Sequence, residues 1–378
     1  MVRLSRALVR SAIVAAYVLP SVCAARRNLI IDTDIYSDCD DAGALLLAAA
    51  SPDVNILGVN INTRSSYSSL AASAILAHYG HPAVPIGARR PLTNESFFDT
   101  FFYSLGEFTS KVAYHYPGGT LAWGRAEDAL DPVKLYRQLL ASADDGSVTI
   151  ASIGFLANLS ALLNATSPDE HSPLSGEDLL RAKVSELVIM GGSYPSGREF
   201  NFFGDDPAHT AHVIGSLSAP GSLSAPGSLS APGSLSAPGS PKVVYCGFEV
   251  GEHVMSGMPL MEQGPASDPV RAAYSYYTHR LTARESWDPL TMMYALDGLG
   301  DLFEFANDGG GYNRVNVTDG SNEWVDDASV TNQRWLRLKV SNETAAAELD
   351  RLYLEAALRF AGNDSSVTPV TRRSRLDL

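Results

Sequence analysis

The densest group of chemically useful side chains lies near the start of the chain, directly after a short apolar run. Within ten residues the chain places five carboxylates, at Asp32, Asp34, Asp38, Asp40 and Asp41. Like charges held this close raise one another's pKa unless a cation compensates them, and a helix N-terminus at Asp41 would compensate only in part. A helix cap followed by an acidic turn without a function would explain one or two of these aspartates, but not five.

The atoms that this acidic segment offers to a cation are hard oxygens. Cys39 is the one soft donor within it, and the segment contains no histidine. Carboxylate oxygens suit Ca²⁺ or Mg²⁺, whereas Zn²⁺ sites are built mainly from His and Cys. The cluster therefore predicts a site for a hard divalent cation.

Three further segments carry polar residues after apolar runs. They are Met190-Gly191-Gly192 leading to Glu199-Phe200-Asn201, Gly154 to Asn158, and Ser286-Trp287-Asp288-Pro289. Asp-Pro also occurs at residues 131–132, 206–207 and 268–269, and aspartate before proline is ordinary helix initiation. From the residues alone, Asp288 is therefore predicted to be a helix cap rather than a ligand.

These polar segments need a scaffold, and short apolar runs that alternate with helical patterns supply one. Five runs are typical of strands buried on both faces, at Asn28–Asp32, Val54–Val59, Val148–Ile153, Glu186–Met190 and Lys242–Cys246. Helical patterns lie between them, at Asp41–Ala50, Ser66–Tyr79, Val133–Ser142 and Ala208–Ile214. This alternation predicts an α/β fold, a mostly parallel open sheet with helices on both faces. Ligands bind beyond the carboxyl ends of such strands, where the polar segments fall.

The composition limits the classes of protein to which the chain can belong. It has 378 residues and a formal net charge of −14, and such acidity argues against nucleic-acid binding, which requires clustered Lys and Arg. Apolar residues make up 45% of the chain, which suffices for a large core and excludes a largely disordered or fibrous protein. No membrane partner is expected, because no apolar stretch reaches the length that spans a bilayer.

The first residues have the pattern of a secretory signal peptide. A basic segment with three arginines precedes a short apolar run, and small residues suited to cleavage end at Ala24. We therefore expect residues 1–24 to be removed, residues 25–378 to form one catalytic domain, and the mature protein to be secreted and extracellular. A signal anchor that is never cleaved is the alternative.

Secretion bears on two kinds of modification. Six Asn-x-Ser/Thr sequons could carry glycans, and the one at Asn158 is expected to stay unmodified because it lies in an apolar segment. Only Cys39 and Cys246 remain after cleavage, too few for a disulfide-stapled scaffold. The sequence leaves open whether these two cysteines pair.

A low-complexity segment interrupts the alternation of strands and helices. Residues 216–239 repeat SLSAPG four times, and their Pro and Gly content argues against helix or strand. We expect a disordered surface loop there, between a helix and the strand at 242–246.

The polar segments resemble those of the inosine–uridine-preferring nucleoside hydrolase family, over nearly all of the mature chain apart from the repeat. Asp32-Thr33-Asp34 with Asp40-Asp41 is similar to the family's aspartate cluster after the first strand, as in a branch with a longer turn. Met190-Gly191-Gly192 with Glu199-Phe200-Asn201 is similar to the second block, and Trp287-Asp288-Pro289 to the third. Three blocks in order make the resemblance specific, and the chain looks like a secreted, fungal-like member.

The resemblance implies hydrolysis of the N-glycosidic bond of ribonucleosides to ribose and free base, with Ca²⁺ as the cofactor. It implies carboxylate metal ligands at Asp34, Asp41 and Asp288, and a backbone carbonyl ligand at Ala157, where the family usually has Thr. Asp34 would also be catalytic, because it is placed to take the proton of a Ca²⁺-bound water. We expect the assembly to be a homo-oligomer, a dimer or a tetramer.

The resemblance also implies how a small-molecule nucleoside would be bound. Asp40, Glu199 and Asn201 would hold ribose hydroxyls. The family's better-known members have a catalytic His before the last metal ligand, and this chain has Trp287, which cannot donate a proton to the leaving base. Trp287 would act instead by stacking against the base. Three nearby tyrosines could do the same or could simply pack in a helix, namely Tyr274, Tyr276 and Tyr277.

Two other functions stay open at this stage. Asp32-Thr33-Asp34 also fits the D-x-D motif of a haloacid dehalogenase-type phosphatase, with Gly204-Asp205-Asp206 as its later acidic pair, but Asp40 and Asp41 would then be unexplained. A secreted calcium-binding non-enzyme would fit the tryptophan in place of histidine. The family's ribose-contacting Asn after the second strand has three candidates, among which the sequence does not choose: Asn60, Asn62 and Ser65.

Overall fold

The computed structural model describes six stretches of the chain, and their elements build one large sheet with helices on both sides. The stretches are residues 26–36, 38–96, 105–165, 169–217, 240–307 and 309–361. The strands are β1 (Arg27–Thr33), β2 (Val54–Ile61), β3 (Ile86–Ala88), β4 (Val148–Ile153), β5 (Val184–Met190), β6 (Ser196–Gly197), β7 (Lys242–Cys246), β8 (Met255–Ser256), β9 (Arg284–Glu285), β10 (Phe303–Phe305), β11 (Gly311–Val315), β12 (Asn322–Asp326) and β13 (Gln333–Leu338). The helices are α1 (Asp40–Ala50), α2 (Ser66–His78), α3 (Thr109–His115), α4 (Pro132–Ser142), α5 (Ala157–Leu163), α6 (Gly176–Lys183), α7 (Phe200–Phe203), α8 (Pro207–Leu217), α9 (Phe248–Gly251), α10 (Met258–Gln263), α11 (Pro269–Tyr277), α12 (Trp287–Asp297) and α13 (Asn342–Ala361).

The order of the strands creates a crevice at β1. The eight-stranded sheet has the order β10-β13-β7-β5-β4-β1-β2-β3, and its strands are parallel except β10, which pairs antiparallel with β13. From β1 the chain builds outward through β2 and β3, and then returns to the other side of β1 with β4. At such a reversal the connections leave in opposite directions and open a cleft beyond the carboxyl ends of the two strands.

Both faces of the sheet are buried, as the apolar strands require. Ile31 of β1 packs in one core with Leu45 of α1 and Leu290 of α12. Its neighbour Ile30 points to the opposite face and packs in a second core with Tyr136 of α4. Because successive side chains of a strand point to opposite faces, one apolar strand anchors helices on both sides.

The predicted α/β class, with a mostly parallel sheet, is confirmed. The five predicted strands correspond to β1, β2, β4, β5 and β7, and the four predicted helices to α1, α2, α4 and α8, with ends that differ by at most three residues. The edge strand β10, its neighbour β13 and the long helix α13 are not among the predicted elements. β13 reads Gln-Arg-Trp-Leu-Arg-Leu and is partly exposed, so it lacks the apolar run by which buried parallel strands are recognised.

Several features named from the sequence fall at the edge of the described residues or outside them. The predicted signal peptide at residues 1–24 lies outside them, as do residues 218–239 of the repeat. The first two repeat residues, Ser216 and Leu217, are not part of a loop, because they form the buried end of α8. In the described stretches, no helix combines the length and hydropathy that crossing a membrane requires.

The structure bears on the cysteines and on one sequon. Cys39 and Cys246 are both buried and unpaired. Asn158 is 3% exposed, and its side-chain amide donates to Asp32 at 3.2 Å, which supports the expectation that this sequon carries no glycan.

Deleting three of the four SLSAPG units is expected to leave the melting temperature and the catalytic rate nearly unchanged. The units are identical, so the remaining one still supplies Ser216 and Leu217 to the end of α8. Loop-closure free energy changes by only about 0.6 kcal/mol for each halving of loop length. Calorimetric melting checks this, with Leu217→Ser in the full-length chain as a control that should lower the melting temperature by removing a buried apolar side chain. A drop of similar size in the deletion variant would show that the repeat packs on the domain.

Candidate metal and substrate site

Three carboxylates from distant parts of the chain converge beyond the carboxyl end of β1. Asp34 follows β1, while Asp41 and Asp288 are the second residues of α1 and α12. Each contributes one carboxylate oxygen to a group whose atoms all lie within 4.8 Å of one another. Asp41 and Asp288 are buried and Asp34 is partly exposed, so the group is open to solvent on the side of Asp34.

The three carboxylates fit a hard divalent cation. The pKa of each lies well above its ordinary value, mainly because the protein replaces much of the water around the charged form, and the negative charges of neighbouring carboxylates raise it further. A cation among them would oppose both effects, because it attracts the charged form and replaces lost solvation. The donors are oxygens, which suit Ca²⁺ and Mg²⁺.

The prediction from the residues alone that Asp288 caps a helix is wrong. The N-cap of α12 is Ser286, and Asp288 lies inside the first turn. The aspartates of the other three Asp-Pro pairs do cap, accepting backbone N–H groups at 2.7 to 3.1 Å, namely Asp131, Asp206 and Asp268. In those three pairs the aspartate comes just before the first residue of its helix. Asp288 is instead the second residue of α12, and this difference directs its carboxylate to Asp34 and Asp41.

Asp32 belongs to a separate network of neutral donors. It is fully buried and accepts hydrogen bonds from Tyr136 at 2.7 Å, Asn62 at 2.7 Å and Asn158 at 3.2 Å. Burial raises its pKa to about 7, and these hydrogen bonds oppose the rise. Both of its oxygens are occupied, so Asp32 is not placed to act as the nucleophile that a haloacid dehalogenase-type phosphatase would need.

Asp38 and Asp40 tie the turn after β1 to the start of α12. Asp38 accepts two hydrogen bonds from the Arg284 guanidinium, one of them from Nε at 2.9 Å. Asp40 is buried and accepts the backbone N–H of Asp288 at 3.1 Å. Burial and the charge of Asp38 raise the pKa of Asp40, and the positive charge of Arg284 opposes them. Of the five clustered aspartates, Asp34 and Asp41 therefore form a group with Asp288. The other three carboxylates accept hydrogen bonds from protein groups.

Glu199 and Asn201 lie beyond the carboxyl end of β5. One Glu199 oxygen accepts the N–H of Asn201 at 2.8 Å and the other accepts the N–H of Gly192 at 3.1 Å. Gly192 has φ +77°, a conformation that disfavours any residue with a Cβ. Burial raises the pKa of Glu199 to about 7, and Glu199 is near enough to Asp34 for its charge to raise the pKa of that carboxyl. The Asn201 amide donates to Met190.

The connection after β4 forms the other wall of the crevice. A Cβ at Gly154 would lie 2.6 Å from Oδ1 of Asp34 and 2.8 Å from Nδ2 of Asn62, so only glycine lets these two side chains approach the backbone. Ala157, the predicted carbonyl ligand, is the buried first residue of α5. Its coordination of a metal stays a prediction.

Trp287 is held in a fixed orientation at the start of α12. Its indole N–H donates to the carbonyl of Phe248 at 2.8 Å, and its ring stacks on the Phe248 ring at a centroid distance of 5.4 Å. Tyr274 and Tyr277 are fully buried, which favours the packing interpretation for these two tyrosines.

Sequence reasoning missed the residues that organise the cluster from a distance. Tyr136 and Arg284 carry no local motif, and Asn158 was recognised only as the end of a polar segment and as a sequon. Of the three candidates left open after the second strand, Asn62 is the one at the site, because Asn60 donates to the carbonyl of Pro132 and Ser65 caps α2.

The fold and the site together define an α/β protein whose mostly parallel sheet is covered on both faces, with three carboxylates that fit a metal ion at its strand switch point. The chain belongs to the family described as inosine-uridine preferring nucleoside hydrolase, whose sequence profile matches residues 29–348. Members of this family depend on a metal ion.

Relatives support the family at the level of sequence. An uncharacterized protein of Schizosaccharomyces pombe is 29% identical over 204 residues, 51% of this chain and 59% of that protein. The pyrimidine-specific ribonucleoside hydrolase RihA of Photobacterium profundum is 31% identical over 199 residues, 48% of this chain and 55% of that protein. The chain thus spans somewhat more than half the length of these curated relatives.

Solved structures support the fold. A purine-preferring ribonucleoside hydrolase from Gardnerella vaginalis superposes with a TM-score of 0.60 at 15% identity, covering 89% of this chain and 99% of that one. A plant nucleoside hydrolase superposes with a TM-score of 0.58 at 18% identity, covering 87% and 99%. At these identities the likeness concerns the fold alone.

Proposed function

We propose that this protein hydrolyses the N-glycosidic bond of ribonucleosides and releases ribose and a free base. The observation that carries the proposal is the group formed by Asp34, Asp41 and Asp288 at the switch point of a chain that belongs to the nucleoside hydrolase family. The named relatives and solved neighbours that act on ribonucleosides support the same reaction.

We propose Ca²⁺ as the metal, held by Asp34, Asp41, Asp288 and the carbonyl of Ala157. Its oxygen shell is larger and more adaptable than that of Mg²⁺ and leaves places for ribose hydroxyls. When bound, the ion would lower the pKa of a nearby water and neutralise the buried carboxylates.

The residues of the chain would then divide the work of the reaction. Asp34 is the member of the group that solvent reaches, so it takes the proton as the water oxygen bonds to C1′ of the ribose. The bond from C1′ to the base nitrogen breaks and its electron pair leaves with the base. Positive charge that builds on the ribose ring is stabilised by the surrounding carboxylates.

Ribose would be oriented by the residues around this group. The Glu199 carboxylate is held by the N–H groups that Gly192 and Asn201 donate to it, and Asp40 is fixed against the start of α12. These side chains would accept or donate hydrogen bonds to the ribose hydroxyls. Holding the sugar in one pose makes attack at C1′ effectively unimolecular.

We also propose that the protein is secreted and forms a dimer or tetramer. The pattern of residues 1–24 supports secretion. Protein recovered from the culture medium should begin at Ala25, and sedimentation equilibrium should give two or four times the mass of one chain.

A direct assay tests the proposed reaction. Ribose release from inosine and uridine is measured beside phosphate release from p-nitrophenyl phosphate, each with and without EDTA. Ribose release that EDTA abolishes and Ca²⁺ restores is the expected result. Phosphate release alone would indicate a phosphatase, and neither product would indicate a binding protein without this activity.

Replacing Trp287 by alanine is expected to lower turnover on inosine by roughly tenfold to a hundredfold. Stacking of an aromatic ring on a base contributes about 1–3 kcal/mol, and about 1.4 kcal/mol corresponds to one decade in rate. Steady-state kinetics on inosine and on p-nitrophenyl riboside, whose leaving group departs without protonation, check this. Trp287→Phe keeps an aromatic face and loses the hydrogen bond to Phe248, so it should retain most of the activity. Equal losses on both substrates would mean that Trp287 only positions Asp288.

A further inference from the structure

Folding leaves the sequon asparagines in different environments, and the environment decides which of them can carry a sugar. An N-glycan is bulky and hydrophilic, so a folded protein keeps one only where its surface leaves room for it. Asn158 is 3% exposed and its amide nitrogen donates to Asp32, so a glycan there would break a buried contact. Asn363 lies outside the described residues.

Three other sequons meet an obstacle in the folded chain. Asn94 precedes Glu95, which lines a cavity of about 200 Å³ on the β2 side of the crevice, so a glycan there would obstruct the entry of a substrate. Nδ2 of Asn164, the atom that a sugar would have to join, lies 3.5 Å from Nδ1 of His212, which is buried. Asn342 is partly buried as the first residue of α13. A glycan at any of these positions would conflict with packing or with access to the crevice.

The remaining sequon lies at the tip of the hairpin that joins β11 to β12. Residues 316–319, which include the sequon Asn316-Val317-Thr318, are all exposed. The backbone N–H of Asn316 donates to the carbonyl of Ser321 at 2.8 Å, and the N–H of Gly320 donates to the carbonyl of Asn316 at 2.9 Å. The tip is therefore a closed turn that faces solvent.

The side chain of Asn316 is held by an Asx turn. Its Oδ1 accepts the backbone N–H of Thr318 at 2.9 Å, and no described residue makes a hydrogen bond with its Nδ2. Such a turn uses only the oxygen of the side-chain amide. A sugar on Nδ2 would therefore leave the hydrogen bond of the turn intact.

The opposite side of the tip is anchored on the domain. A Cβ at Gly320, which has φ +72°, would lie 2.6 Å from the carbonyl oxygen of Phe202. Nε of Arg198 donates to the carbonyl of Asp319 at 2.8 Å, and the guanidinium lies 3.6 Å from the centroid of the Phe203 ring. Because one side of the tip packs on α7 and the other is exposed, a glycan on Asn316 would extend into solvent.

We propose that Asn316 is an N-glycosylation site and carries an oligosaccharide on Nδ2 in the secreted protein. The inference goes beyond the proposed hydrolysis and rests on the proposed secretion, because the sugar is transferred to chains that enter the secretory route. The oligosaccharide would also cover Val317, an apolar residue that is 36% exposed at the tip.

The transfer requires a donor in which C1 of the first sugar of an oligosaccharide is joined to a lipid diphosphate. Nδ2 of Asn316 bonds to this C1 while the bond from C1 to the diphosphate oxygen breaks, and the electron pair of that bond leaves with the lipid diphosphate. One proton of Nδ2 passes to a base of the transferase. No atom is oxidised or reduced. The hydroxyl of Thr318 is the second feature of the sequon that the transferase requires.

The test uses the full-length chain secreted from a eukaryotic host and treated with peptide N-glycosidase in H₂¹⁸O. This enzyme converts a glycosylated Asn to an Asp that carries ¹⁸O, which peptide mass spectrometry locates. Label at Asn316 and none at Asn158 is the expected result. Asn316→Gln and Thr318→Ala should each lower the mass of the intact protein by one glycan, whereas Thr318→Ser keeps the hydroxyl and should keep the glycan. Thr344→Ala is the matched control, because it removes the hydroxyl of another sequon and should leave the label at Asn316 in place.

Three outcomes would overturn the assignment. Secreted protein that begins at Ala25 and carries no label at Asn316 would rule out the site, whatever the other sequons carry. Label at Asn158 in folded protein would show that burial does not select among the sequons. A chain retained in the cell with residues 1–24 attached would refute the proposed secretion and the glycan with it. Melting temperature shows whether the variants fold, and Thr318→Ala decides if Asn316→Gln does not. Ribose release from inosine, measured on the same samples, records a failure of the proposed hydrolysis separately.

Discussion

Replacing Asp41 by alanine should abolish tight calcium binding. The change removes a buried charged ligand and leaves Asp34 and Asp288 to repel each other without it. Losing one partner of a buried ionic contact costs about 3–5 kcal/mol, which corresponds to a loss of affinity of roughly a hundredfold to a few thousandfold. Calorimetric titration with Ca²⁺ measures the affinity directly.

Thermal melting gives an independent measurement on the same variant. Calcium at a hundred times its Kd stabilises the folded parent by about 2.7 kcal/mol, so its melting temperature should rise with added Ca²⁺ and that of Asp41→Ala should not. Glu343→Ala is the matched control, because it also removes a carboxylate from the first turn of a helix but lies outside the group. Calcium affinity that Asp41→Ala leaves unchanged would refute the site.

Replacing Asp34 by asparagine should lower turnover on inosine by roughly 10²- to 10⁴-fold even at saturating Ca²⁺. The amide keeps a neutral oxygen for the metal but cannot take a proton from water, and loss of a general base has this magnitude. Steady-state rates at increasing Ca²⁺ concentration separate the two roles.

The comparison variant for Asp34 is Asp41→Asn. Asp41 is buried and accepts a hydrogen bond from Thr33, so it is proposed only as a ligand, and its asparagine variant should regain activity when Ca²⁺ is raised. If Asp34→Asn regains activity in the same way, Asp34 is a ligand without a role as base.

The central elements could be predicted because their local sequence is decisive. β1, β4 and β7 are short apolar runs between turn residues, and such runs form strands buried on both faces. The clustering of aspartates after β1 was equally visible, since all five lie within ten residues. Both are properties of neighbouring residues, which a single sequence displays.

The division of labour among the aspartates could not be predicted, because distant residues decide it. Tyr136 reaches Asp32 from 104 residues away, and Arg284 reaches Asp38 from 246. For Asp288, the local sequence predicted the wrong role. Its Asp-Pro pair looks like three others that cap helices, and only the position of α12 beside α1 makes its carboxylate a member of the group. Local patterns predict what a residue can do, and tertiary packing selects among those roles.

The contacts between the turn after β1 and the start of α12 also constrain the order of events during biosynthesis. Asp34 and Asp41 leave the ribosome early, but the ion pair of Asp38 with Arg284 and the bond from Asp288 to Asp40 close over 246 and 248 residues. Until α12 docks, the early carboxylates have neither their third member nor the arginine that compensates Asp38, so they remain hydrated rather than buried. The carboxylate group can thus be completed only after residue 288 has been synthesised, when β1 to β5 and β7 of the large sheet already precede it in the chain.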